Sequence, residues 1–230
     1  MDDDIELSID PALDKPPRLA IVWARGLAIA GGASPGRGSP GPTLAALLER
    51  VRAAGEAWLT PARKAAVRDM LRHGVYKPAG RAKPSSEYLL AAALEGSFPF
   101  VNGAVDANNA ASLAYGYPAS VFDLEKCGKR LLLKRGGPGD SYVFNASGQE
   151  IDLEDLLCLW KAEAEGLWSP IGNPVKDAMG TKVFETCGSI VAVVYAPSGP
   201  EGRDLEACAE LFAGLLRSDC GAATASWRLA

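Results

Sequence analysis

The sequence predicts an α+β protein, because three patterns follow one another along the chain. Amphipathic runs of helical length fill most of residues 43–95, short apolar segments bounded by Gly and Pro follow Gly96, and a last amphipathic run covers residues 202–217. Helices and strands that are grouped in this way favour an α+β domain over repeated βαβ units.

The N-terminal third begins with strand-like sequence. Residues 18–30 (RLAIVWARGLAIA) predict one or two short strands, and residues 31–42 predict a flexible loop rich in Gly and Pro. This loop lacks the lysine and hydroxyl of a Walker motif, and its prolines remove backbone donors. We therefore exclude a phosphate-binding loop here.

Three helices are expected between this loop and Gly96, and each has a residue that suits the first position of a helix. The predicted helices are 43–57 with Thr43 as cap, 60–72 with Thr60 as cap and Pro61 at the first helical position, and 85–95 with Ser85 or Ser86 as cap.

After Gly96 the pattern changes to short strands separated by turns. We expect residues 1–79 to pack as strands and helices on the core, and residues 80–230 to form the main domain with its C-terminal helix. The predicted strands are 97–101, 119–125, 130–135, 141–146, 155–160 and 189–197.

A helix of unusual polarity interrupts the strands at residues 104–115. Asp106 lies at a predicted N-cap position, where its carboxylate accepts from the amides of the first turn, and Asn109 follows three residues later on the same side. Two interpretations are open. The acid and amides fix a neighbouring loop through paired hydrogen bonds, or they line a ligand cleft.

A local excess of positive charge covers residues 60–86, where Asp69 is the one acidic residue. A solvated helix face and a contact surface for anions or an RNA backbone both explain such a run. For the second explanation, the predicted nucleic-acid-binding residues are Arg63, Arg68, Arg72, Lys77, Arg81 and Lys83.

A second polar segment, SPIGNPVKDAMGTKVFETCG, includes Lys176 and Thr181 and has the density of polar groups typical of a binding loop. An exposed turn explains it equally well. The five cysteines are odd in number and widely spaced, and the single histidine, His73, ends a helical pattern. We therefore predict neither a metal site nor a cofactor.

Charge and hydropathy limit the classes of partner that we expect for this protein. The 24 Lys and Arg against 28 Asp and Glu give a formal net charge of −4, which offers no global attraction for nucleic acid. No apolar run approaches the roughly 18 residues of a membrane span. The first residues are acidic where a targeting peptide is basic, so we expect a cytoplasmic protein without a membrane partner.

The helix at 104–115 and its flanks resemble the B3/B4 domain of the phenylalanyl-tRNA synthetase beta subunit, a module implicated in tRNA contact and in editing. The similarity covers about residues 80–197. The matching residues are Asn102, Val105, Asp106, Asn109, Gly116, Pro118, Phe122, Asp123, Leu124, Lys126, the segment LLLKRGGPGDSY from Leu131, and Thr186 followed by SIVAVVYA.

The resemblance implies a β-sandwich of unusual topology flanked by helices, with a pocket beside the polar helix. Family members that edit use a histidine two residues after the proline and a glutamate in the closing strand. This chain has Ser120 and Ala192 at those places. The segment KPSSEYLL and the helical N-terminal third are more similar to free-standing proteins that contain this domain.

Three functions remain open. The first is binding of tRNA or aminoacyl-tRNA, and the second is a small-molecule-binding or hydrolase-like protein on the same scaffold. The third is deacylation of mischarged tRNA, with no ligase activity because the acylation machinery is missing. The oligomeric state stays open, and the predicted ligand-binding residues are Asp106, Asn109, Ser120, Lys176 and Thr181.

Overall fold

The computed structural model describes residues 5–29 and 40–230. Helices and sheets are segregated, so the predicted α+β class is confirmed. The helices are α1 (Pro42–Ala54), α2 (Pro61–Leu71), α3 (Ser85–Leu94), α4 (Gly103–Tyr115), α5 (Leu124–Cys127) and α6 (Leu205–Ser218). The strands are β1 (Glu6–Ile9), β2 (Arg18–Arg25), β3 (Ala119–Asp123), β4 (Arg130–Arg135), β5 (Ser141–Val143), β6 (Glu150–Asp152), β7 (Leu157–Ala162), β8 (Trp168–Gly172), β9 (Ser189–Ala196) and β10 (Thr224–Leu229).

Two four-stranded sheets form the centre of the fold. The first has the order β10-β2-β9-β3 and is antiparallel throughout. The second has the order β1-β4-β7-β8, in which β1 runs parallel to β4 and the other pairs are antiparallel. A hairpin of β5 and β6 is added to these sheets.

The first sheet is covered on both faces because each strand alternates its side chains between them. Leu19 and Ile21 of β2 pack with Val191 and Val193 of β9 against the leucines of the second sheet. The opposite face packs beneath α1, α3, α4 and α6, and it is rich in alanine, including Ala192. Small side chains let the helices approach the sheet closely.

The outer face of the second sheet has its own small core. Cys158 and Trp160 of β7 pack there with Tyr142 of the hairpin and with Ala178 of the segment that follows β8. The hairpin and this segment are thereby fixed to each other. The molecule thus has a helical layer, two sheets and a hairpin layer.

Among the three helices predicted before Gly96, one begins at the predicted cap. The Thr60 side chain accepts from the Arg63 amide, as predicted for α2. At α1 the cap is Gly41 and at α3 it is Pro84, both without a side-chain hydrogen bond, so the predicted Thr43 and Ser85 or Ser86 caps were wrong. A proline near the start fixes the backbone there without a side-chain acceptor.

The strand predictions were correct for β2, β3, β4, β5, β7 and β9, with shifted ends. Residues 97–101, predicted as a strand, form none, and β1, β6, β8 and β10 were missed. The predicted loop at 31–42 falls mostly on residues 30–39, which lie outside the described ranges. β2 of the N-terminal third pairs with β9 of the C-terminal half. The predicted domain boundary at residue 79 stays a prediction.

No helix in the described residues is long and apolar enough to cross a membrane.

Arg63 joins α2 to the segment before α6. Its side chain is 14% exposed, its Nε lies 2.9 Å from Glu201 Oε2, and its Nη2 lies 2.9 Å from Asp204 Oδ2. It also donates to the Tyr115 carbonyl and lies over the Tyr117 ring. Arg63 is therefore part of the structural framework.

We expect Arg63→Met to lower the free energy of unfolding by about 2 kcal/mol, because it leaves two half-buried carboxylates without their partner. Urea denaturation monitored by fluorescence measures the change. Arg72→Met is the matched control, since Arg72 is exposed and its ion pair with exposed Asp69 is long at 3.7 Å. This substitution should lower the free energy of unfolding by less than about 0.5 kcal/mol. Equal effects of the two substitutions would contradict the structural role.

Candidate functional site

A cavity of about 620 Å³ lies between the start of α4, α3, β3 and two loop segments. Its wall is mostly apolar, with several amide side chains and one buried carboxyl among the apolar groups, as in small-ligand sites. The lining residues are Ser85, Tyr88, Leu89, Pro99, Val101, Asn102, Val105, Asn108, Asn109, Ala119, Val121, Asn173, Val175, Lys176, Asp177, Lys182, Val183, Phe184, Glu185 and Thr186.

The start of α4 forms one side of the cavity, and its cap is Asn102. The Asn102 Oδ1 accepts from the Val105 amide at 3.1 Å, so the prediction that Asp106 caps this helix was wrong. Asp106 instead lies in the first turn and its Oδ1 accepts from the Val101 amide at 2.9 Å. Burial raises the pKa of Asp106 to about 6.

The loop 182–186 forms a second side of the cavity and is fixed at two points. Asn102 Nδ2 donates to the Val183 carbonyl at 3.0 Å. Lys126 Nζ donates to the Lys182 carbonyl at 3.0 Å, lies 2.8 Å from Asp123 Oδ2 and lies over the Phe184 ring. The helix cap and α5 therefore set the position of this wall.

The segment after β8 forms the third side. Asn173 Oδ1 accepts from the amides of Val175 and Lys176, which closes a tight turn. Tyr142 of the hairpin donates its hydroxyl to the Lys176 carbonyl at 2.6 Å and receives a hydrogen bond from Asn173 Nδ2. The Ser120 hydroxyl donates to the Asn173 carbonyl at 3.3 Å.

Asp177 has the most perturbed carboxyl of the cavity wall. Burial raises its pKa to about 7, although the hydrogen bond from the Val121 amide and the nearby side chains of Ser120 and Lys182 favour the charged form. The Val121 amide is 3.2 Å from Asp177 Oδ2. A Cβ at Gly172 would lie 2.5 Å from Oδ1, so the backbone of β8 approaches this carboxyl closely.

The predicted ligand-binding residues are only partly brought together. Asn109 and Lys176 line the cavity, whereas Asp106, Ser120 and Thr181 lie outside its lining. Ser120 is fully buried beneath Tyr195, whose hydroxyl donates to it, and Thr181 Oγ1 donates weakly to the Ile171 carbonyl. Lys176 Nζ lies 3.8 Å from the centre of the Phe144 ring.

Asn108, Asn173 and Asp177 line the cavity but were not among the predicted ligand-binding residues, although Asp177 was one of the polar residues that suggested a binding loop. Asn173 and Asp177 belong to the segment predicted as a binding loop, from which only Lys176 and Thr181 were chosen as ligand-binding residues. Asn108 was passed over because its neighbour Asn109 matched the resembled family. The spacing of residues along α4 puts both amides on the cavity wall.

The rim of the cavity exposes large apolar side chains. Tyr88 is 57% exposed, Val101 50% and Phe184 46%, and all three line the cavity. Isolated exposed apolar residues are ordinary, but three around one opening form a patch of the kind seen at binding sites.

The predicted basic residues divide into two groups. Arg63 and Arg68 are paired internally, Arg68 through a two-point contact with Glu87. Arg72, Lys77 and Arg81 are exposed, and Lys83 is half-buried. Lys77, Arg81 and Lys83 lie on the segment that leads into α3, and Ser85 and Tyr88 of α3 line the cavity.

The five cysteines and the histidine do not come together as metal ligands in the described residues. All five cysteines are buried and unpaired, and burial raises the pKa of Cys187 to about 11. His73 lies past the end of α2, with Nε2 3.9 Å from Asp155 Oδ1. Within residues 5–29 and 40–230, no group of three or more His, Cys, Asp or Glu could hold a metal ion.

No protein-family model matches the sequence, and no curated protein matches it. Among solved structures, the chain is similar to an N-terminal fragment of the phenylalanyl-tRNA synthetase beta subunit from Pyrococcus horikoshii, with a TM-score of 0.50 and 10% identity. The match covers 95% of this chain and 49% of that chain, so this chain spans about half the length of the fragment. The fold is shared with that fragment.

The raised pKa of Asp177 predicts a pH-dependent stability. The folded state holds a proton on Asp177 that the unfolded chain releases near pH 4. The contribution of this proton to the free energy of unfolding is therefore complete below about pH 4 and is lost as the pH rises to about 7. Relative to the wild type, Asp177→Asn should gain roughly 2 to 4 kcal/mol of unfolding free energy between pH 4 and pH 8.

Urea denaturation of both proteins at several pH values measures this difference. Asp152→Asn, which removes an exposed carboxylate of β6, is the matched control and should show a constant difference from the wild type. If the difference between Asp177→Asn and the wild type is also constant with pH, the pKa of Asp177 is not raised in the folded protein.

Proposed function

We propose that this protein binds the single-stranded end of tRNA or aminoacyl-tRNA, with the terminal group in the cavity. The observation that supports this most directly is the juxtaposition of a cavity, an exposed aromatic rim and a basic segment. Tyr88 and Phe184 are at the rim, and the chain from Lys77 to Lys83 leads into the cavity wall at Ser85.

Each part suits a different component of a single strand. Phosphates are attracted to exposed lysine and arginine, and unstacked bases stack on aromatic rings. Lys126, whose ammonium lies 4.9 Å from the centre of the Phe184 ring, adds positive charge at the same rim. An apolar cavity with amide groups suits a small acyl group rather than a base-paired helix.

The fold likeness adds independent support. The similar solved structure is an N-terminal fragment of a phenylalanyl-tRNA synthetase beta subunit. The acidic net charge of −4 does not oppose the proposal, because Lys77, Arg81, Lys83 and Lys126 lie on segments that adjoin the cavity. The proposed editing reaction has less support, since Ser120 is buried outside the cavity lining.

A second candidate is binding of a free small molecule without RNA. The internal pairing of Arg63 and Arg68 favours it, because it reduces the cations that remain for phosphate. Under this alternative the cavity would be occupied and the basic segment would have no role. The two predictions that follow separate the candidates.

Reversing two exposed charges beside the cavity should weaken tRNA binding. We expect Lys77→Glu with Arg81→Glu to lower affinity at least tenfold at 50 mM salt, and to reduce the slope of log K against log salt by about 1 to 2. Fluorescence anisotropy with labelled tRNA measures both quantities. Arg130→Glu with Arg203→Glu changes the net charge equally at exposed positions away from the cavity rim, and is the control.

If both double variants weaken binding equally, only net charge matters and the basic segment is not an interface. If the wild type retains no tRNA at 50 mM salt, the RNA proposal is wrong and the small-molecule alternative remains.

Removing an aromatic ring from the rim should weaken binding of a short 3′ single strand. Tyr88→Ala and Phe184→Ala are each expected to cost about 1 to 3 kcal/mol of binding free energy, which corresponds to a 5- to 150-fold loss of affinity. Titration with a labelled CCA-ended oligonucleotide measures the loss. Tyr88→Phe keeps the ring and should bind like the wild type, whereas a loss equal to that of Tyr88→Ala would point to the hydroxyl instead of stacking.

A further inference from the structure

Buried polar atoms without a partner are concentrated at the cavity wall. Five such side-chain atoms occur in the described residues, and three belong to lining residues, namely Ser85, Asn108 and Asp177. Buried polar groups are ordinarily paired, because an unpaired group loses its hydration without compensation. Their concentration here indicates that a partner is supplied by whatever occupies the cavity.

The orientation of the Asn108 amide is determined by its neighbours. Its Nδ2 lies 3.4 Å from Asn109 Oδ1 and 3.4 Å from the Ala119 carbonyl, and both of these are acceptors. A flipped amide would place oxygen against oxygen. Asn108, which is 5% exposed, therefore presents Oδ1 as an acceptor that needs a donor.

Asp177 contributes a second acceptor from the segment after β8, which forms the third side of the cavity. Its Oδ2 accepts from the Val121 amide, while Oδ1 is buried without a partner. Both Asn108 and Asp177 therefore need a donor, and Ser85 Oγ can accept as well.

The cations of the wall leave this need unmet. Lys176 directs its ammonium onto the Phe144 ring, 3.8 Å from the ring centre. Lys182 favours the charged carboxylate of Asp177, but burial outweighs it. Tyr142 and Tyr195 also face this carboxyl, and burial keeps the pKa of both hydroxyls well above the usual range, so neither adds charge.

We propose that Asp177 and Asn108, which line the same cavity, recognise a protonated amine on the ligand. An ammonium supplies up to three donors and a positive charge, which matches one carboxylate and one amide oxygen in a mostly apolar cavity. The inference rests on the proposed function in one respect only, the use of the cavity as a binding site. It names the chemical group that the cavity selects, and that amine belongs either to an amino-acid backbone or to its side chain.

Three small probes of nearly equal apolar size test the proposal. Norleucine N-methylamide has only an α-ammonium, Nα-acetyl-lysine N-methylamide has only a side-chain ammonium, and Nα-acetyl-norleucine N-methylamide has neither. Calorimetric titration at pH 7.5 measures their affinities. We expect one of the two ammonium probes to bind at least tenfold more tightly than the neutral probe, and the stronger of the two identifies the source of the amine.

Two substitutions locate the effect. Asp177→Asn and Asn108→Leu should each reduce the preference for the ammonium probe at least fivefold, while the control Asp152→Asn should leave it unchanged. Circular dichroism shows whether each variant is folded, and either folded variant alone decides the question. Equal affinity for charged and neutral probes in the wild type, or an unchanged preference in a folded variant, would overturn the proposal.

The outcome is separable from that of the RNA experiments. A preference for the ammonium probe together with no tRNA binding would retain this inference and reject the proposed function. Conversely, tRNA binding that depends on Lys77 and Arg81, with no preference among the three probes, would retain the function and reject the amine site.

Discussion

The fold depends on the burial of both faces of β9. Residues Ile190 to Ala196 are fully buried, with Ala192 and Val194 beneath the helices and Val193 and Tyr195 against the second sheet. A strand that is covered on both faces has no freedom of register, since a slip of one residue would exchange its two sets of side chains. The positions of β2 and β3 on either side of it follow from this register.

The same strand, β9, also determines the geometry of the cavity. β3 pairs with β9 so that Val121 faces the cavity, while Ser120 faces the sandwich beneath Tyr195. The Ser120 hydroxyl then contacts the Asn173 carbonyl, which connects the sheet to the loop that contains Asp177. A chain of buried hydrogen bonds therefore connects the rigid core to the cavity wall, and such networks specify one arrangement when their members are paired.

The sequence predicts elements well where one local signal acts alone. The apolar run of β9 and the Thr60 cap were correct for this reason. It fails where tertiary contacts decide, as at β10, which has no fully buried residue and is held in place by its pairing with β2. Asp106 illustrates the same limit, because an acid in the first turn resembles a cap in sequence, and only the backbone start at Asn102 distinguishes them.

The carboxyl at the cavity lies outside the central sheet. The resemblance described from the sequence implies an acid in the closing strand of domains that edit, and Ala192 is the residue that it assigns to that place here. Ala192 is fully buried on the helical face, opposite Val121, where the core leaves no room for a longer side chain. The carboxyl at the cavity comes instead from Asp177, on a loop supported by β8 and the hairpin. Since that loop lies outside the central sheet, its sequence can change the chemistry of the cavity without disturbing the register of β9.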